Sequence, residues 1–61
     1  MNRKIALNIA IDELVKKRRQ FAPEAHIYEK LSTPALRRHK YRYDELSMVI
    51  EVLEKIREET Q

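Results

Sequence analysis

Between residues 46 and 56, seven of eleven side chains are Leu, Met, Val or Ile. A helix that buries one face against a single neighbour needs an apolar stripe of roughly 100°. This segment is apolar around most of its circumference and carries more such surface than one adjacent helix covers. The expectation is a helical protein that assembles with copies of itself, with its working surface in another part of the chain.

The length points the same way. Sixty-one residues make a single domain over 1–61, and a chain of this size buries only about 60% of the surface its unfolded form exposes. Domains of this kind need a staple. There is no cysteine, so neither a disulfide nor a thiolate metal site is available, and association between subunits is the remaining device. The apolar runs are broken by charge within a few residues, and the first residues lack the unbroken apolar core of a signal peptide, so a cytoplasmic protein with no membrane partner is expected. The charged share of 38% contains both signs, and the apolar share of 43% exceeds that of a disordered tail.

Glycine is absent, which removes Gly-rich phosphate loops and dinucleotide-binding turns together. No stretch alternates with period two, so the fold class is all-α. Leu7, Ile11, Leu14, Arg18, Phe21, Ala25 and Tyr28 recur at alternating spacings of four and three, and all but Arg18 are apolar. A second seam runs through Leu36, His39, Tyr43, Leu46, Ile50 and Leu53. Between them, Thr33 suits an N-cap and Pro34 the first helical position. The short connection predicts an antiparallel hairpin.

Pro23 falls inside the first seam. A mid-helix proline loses one backbone hydrogen bond and clashes with the carbonyl four residues earlier, at about 3 kcal/mol. Ala22 and Phe21 are poor caps, and the seam stays in phase from Phe21 to Tyr28, so one helix kinked near Gln20 is preferred to a break. On the outer sides, Ile5, Ile9 and Ile27 lie opposite the first seam, and Met48 and Val52 lie opposite the second, with Val49 and Ile56 widening that stripe. Ile5, Ile9, Met48, Val49, Val52 and Ile56 are the expected interface of a dimer or larger homo-oligomeric helix bundle.

Charge is divided along the chain. Residues 16–42 hold nine basic side chains against Glu24 and Glu29, whereas residues 43–61 hold six acids against Lys55 and Arg57. In a hairpin the basic segments share the turn-proximal half. Lys16, Lys17, Arg18, Arg19, Arg37, Arg38, His39, Lys40 and Arg42 offer phosphate contacts, and Tyr28, Tyr41 and Tyr43 offer stacking faces, a mixture suited to a nucleotide or a nucleic acid strand. The competing account is a solvated basic face, or one paired with the acidic end of a second subunit. Arg18 is expected to snorkel past the core or to pair with Asp44. His39 is expected to face Ala25 and His26. Copies of Arg18, His39 and Tyr43 could enclose an anion within an oligomer.

No catalytic constellation is present. His26 and His39 lack nearby ligands at metal spacing, Ser32 and Thr33 serve the connection, and the pairs Asp12-Glu13 and Asp44-Glu45 diverge around a helix. A non-enzymatic protein without cofactor or metal is expected.

The order Ala10-Ile11 and Leu14, Phe21-Ala22, Ala25 and Tyr28, then Tyr41 or Tyr43, Leu46, Val49-Ile50 and Leu53 resembles small all-helical accessory proteins encoded by phages and prophages of Gram-positive bacteria. That resemblance implies a bacterial cytoplasm and two activities known in the class: helical oligomers that sequester nucleotide immune signals, and proteins that block a host enzyme by binding it. Pro23 departs from the uninterrupted helix of such proteins. The leading expectation is an oligomer that binds a phosphate-bearing ligand, and the alternative is a protein-interaction module acting on a host or phage protein.

Overall fold

The computed structural model describes residues 2–60. Two helices of 26 residues, α1 (Arg3–Tyr28) and α2 (Pro34–Glu59), fold back on each other as an antiparallel hairpin. Each end of each helix finds partners for its free backbone groups. The Asn2 side chain accepts a hydrogen bond from the Ile5 amide at 2.8 Å, and Thr33 Oγ1 accepts from the Leu36 amide at 3.3 Å, with Pro34 following as the first helical residue. At the end of α1 the amides of Lys30 and Leu31 both donate to the Ile27 carbonyl, at 2.9 and 2.8 Å. Helix C-termini commonly use a left-handed glycine. This chain closes its turn without one, and no described residue has a positive φ.

The two predicted seams form the contact between the helices. Ile11, Ala25 and Ile50 are buried, and the other seam residues, from Leu7 to Tyr28 and from Leu36 to Leu53, are all partly covered. α1 continues through Pro23. The proline is exposed and stands away from the seam, so its missing N–H, which would have met the Arg19 carbonyl, leaves that carbonyl on the solvent side.

Two polar ties set the axial register. Arg57 donates to Asn8 Oδ1 at 3.0 Å and Arg18 to Ser47 Oγ at 3.2 Å. From the first tie to the second, α1 advances by ten residues while α2 retreats by ten, the relation of an antiparallel pair without slip. Asp44 is not the partner of Arg18. It accepts instead from Lys40, one turn earlier, at 2.9 Å, because neighbours four apart on one helix meet without any adjustment between helices.

With three buried side chains, the hairpin is thin: its extents are 43 × 16 × 12 Å and its radius of gyration is 13.9 Å, against about 10.5 Å for a compact domain of this length. Among the described residues no helix is long and apolar enough to cross a membrane. Exchanging Pro23 for Ala restores one helical hydrogen bond and loses only the proline's effect on the unfolded chain, so stability should rise by about 2 kcal/mol, seen as a higher urea midpoint at unchanged slope and fixed protein concentration. Ile11→Ala should lower stability by about 2–4 kcal/mol. Arg18→Met, which keeps the packed stem and removes a bond to the neutral hydroxyl of Ser47 and the charge beside the Tyr43 ring, should lower stability by about 1–2 kcal/mol.

Candidate phosphate-binding site

The seam positions of α1 and α2 place Phe21 beside His39, with ring centroids 5.8 Å apart and planes tilted by 48°. His39 Nδ1 lies 3.0 Å from the Ala35 carbonyl. A carbonyl only accepts, so Nδ1 carries the proton and Nε2 is left as the ring's remaining polar atom. On the same stretch of the seam the His26 ring stands 6.1 Å from that of Tyr43.

Arg38 and Arg42 are one helical turn apart on α2, and they complete a depression of about 290 Å³ lined by Phe21, Arg38, His39 and Arg42. Both arginines are exposed. Arg42 has a single acidic neighbour, Glu45, at 4.0 Å and largely in solvent, a pair of little strength. Arg38 makes no ion pair among the described residues. Two arginines, a phenylalanine and a histidine thus line one concave surface. Planar forks match phosphate oxygens in a bidentate manner, and an aromatic face takes a base by stacking.

The rest of the predicted basic set divides around the hairpin. Arg18 is turned inward, with its guanidinium carbon 5.6 Å from the centre of the Tyr43 ring and its hydrogen bond spent on Ser47. Lys40 lies 5.9 Å from the same ring. Its ammonium is held above the ordinary lysine range, chiefly by the hydrogen bond to Asp44, against a smaller opposing effect of desolvation. Lys16 faces Glu13 at 3.5 Å. Lys17 and Arg19 are exposed on either side of Arg18, each about 100° away around the helix. Arg37 stands about 100° from Arg38, outside the depression. Of the tyrosines, Tyr43 is half-buried among Arg18, His26 and Lys40, Tyr28 is half-buried at the end of α1, and Tyr41 is 61% exposed on the outside of α2.

Phe21 is the site residue that the sequence pattern assigned only to the core. Its signal was its place in the same layer as His39, which becomes meaningful once the register is known. Glu24, three residues further on, has a buried carboxylate oxygen, Oε2, without a hydrogen-bond partner among the described residues. No cluster of three metal-ligating side chains occurs among the described residues. Of the expected interface residues, Ile5, Ile9, Met48, Val49 and Val52 are exposed, whereas Ile56 is half-buried and continues the α2 seam one turn beyond Leu53.

Comparison of the chain with protein families, with curated proteins and with solved structures finds no match.

Proposed function

We propose that the protein is a non-enzymatic binder of a small phosphate-bearing ligand of the nucleotide class, held in the depression lined by Phe21, Arg38, His39 and Arg42. The observation that carries this reading is that two exposed arginines, an aromatic ring and an imidazole line one depression.

A discrete ligand suits the arrangement better than a nucleic acid strand. Tracking a strand takes a continuous groove of cations along the surface, and here Lys17 and Arg19 stand on opposite sides of Arg18 on α1, while Arg37 stands about 100° from Arg38 on α2. The depression, at about 290 Å³, is near the lower end of the range for small-ligand pockets, about 300 Å³ and upward. The reading accords with the nucleotide-sequestering members of the phage accessory class that the sequence resembles. A second reading, a module that docks a host or phage protein, is supported by the apolar side chains of Met48, Val49 and Val52 on the outside of α2.

Titration calorimetry with ATP and with a single-stranded oligonucleotide separates these readings. ATP should bind saturably, and Arg38→Glu with Arg42→Glu should weaken it by at least about tenfold, or about 1.4 kcal/mol. Lys17→Glu with Arg37→Glu, which changes net charge equally, should alter it by less than about threefold, since screened charges outside the site act weakly. Equal losses in the two double variants, with a steep salt dependence of oligonucleotide binding, would assign the surface to nucleic acid. No binding of either probe favours the protein-docking module.

A further inference from the structure

Tyr41, Glu45, Met48, Val52, Lys55 and Glu59 follow one another along α2 at spacings of 4, 3, 4, 3 and 4, and every one of them is exposed. That is the period of a second helix–helix seam, on the side of α2 turned away from α1. Its centre is apolar: Met48 is 67% and Val52 56% exposed. Beside it Met48, Val49, Val52 and Leu53 line an apolar groove of about 300 Å³.

The charges along this stripe choose the orientation of what covers it. A second copy lying parallel would set Glu45 against Glu45, Lys55 against Lys55 and Glu59 against Glu59. A second copy lying antiparallel, with its two-fold axis between Met48 and Val52, sets Met48 against the partner's Val52. It sets Glu45 against the partner's Lys55 and the Tyr41 hydroxyl against the partner's Glu59 carboxylate, each contact occurring twice by symmetry. On one flank Val49 meets its own copy, and on the other Glu51 does.

The surface area leaves room for such a partner. The hairpin exposes 4981 Å², whereas a compact monomer of 7.4 kDa exposes about 4,200 Å². The excess, roughly 800 Å², reflects the elongated shape and is comparable to one partner's share of a standard protein interface.

We propose that the protein is a two-fold homodimer in which the outer faces of α2 pack antiparallel, Met48 of each chain on the partner's Val52 and Glu45 of each chain beside the partner's Lys55. The order across the dimer is then α1, α2, α2, α1. This assembly stands independently of the phosphate site, whose depression lies toward the turn.

Sedimentation equilibrium on the full chain, with circular dichroism to follow helicity, tests it by a charge-exchange cycle. The parent should sediment at twice the chain mass of 7.4 kDa. Glu45→Lys and Lys55→Glu, both at exposed positions, should keep the helicity and each weaken the dimer by at least about tenfold. The double exchange should return the dissociation constant to within about threefold of the parent, because it recreates both ion pairs with the signs reversed. Glu51→Gln should tighten the dimer by relieving repulsion at the axis. A parent monomeric at all concentrations overturns the proposal. Single exchanges without effect overturn it as well, and a double exchange no better than the singles overturns the antiparallel pairing of these residues.

Discussion

Everything in this molecule depends on one line of contact, the seam along which α1 and α2 interlock. Among the described residues three side chains, Ile11, Ala25 and Ile50, are buried, so the hairpin has no reserve of core to hold its helices if their register slips. Two polar ties do part of that work. Asn8 with Arg57 and Arg18 with Ser47 leave apolar packing free to supply the attraction while directional bonds select the stagger. A shift by one helical turn would break both together.

The seam also decides which charges remain available. By taking Arg18 and Tyr43 into the contact, and by letting Lys40 close on Asp44, it withdraws part of the basic segment from solvent. Arg38 and Arg42 are left on a flank beside Phe21 and His39. Clustered charge in a sequence is therefore distributed by the helical rotation into side chains that pack, side chains that pair along their own helix, and a few that can meet a ligand. The last group is smaller than the count of basic residues suggests, and its chemistry is sharper.

Much of the fold was legible beforehand because its determinants are local. The spacing of Leu7, Ile11 and Leu14, the cap and proline at Thr33 and Pro34, and the absence of glycine each act within a few residues, so element type, seam face and hairpin topology follow from periodicity. Pro23 is also local: the phase of Phe21, Ala25 and Tyr28 across it signalled a continuous helix, and α1 does continue. Ile56 shows where periodicity becomes ambiguous. A side chain at the margin of two stripes can be counted with either, and packing places it at the end of the seam, half-buried.

Two helices, their inner faces, the tight connection and the division of the chain into basic and acidic halves follow from the order of residues alone, because each of these is a property of neighbours along one helix. It takes the packing of the two helices to bring Arg18 to Ser47 rather than Asp44, to lay His39 against Phe21, and to put Arg38 but not Arg37 in the depression. Those outcomes depend on the stagger and rotation of one helix against the other. A difference of one residue turns a side chain by about 100°, and that relative placement is set by the two polar ties together with the packing of the whole seam.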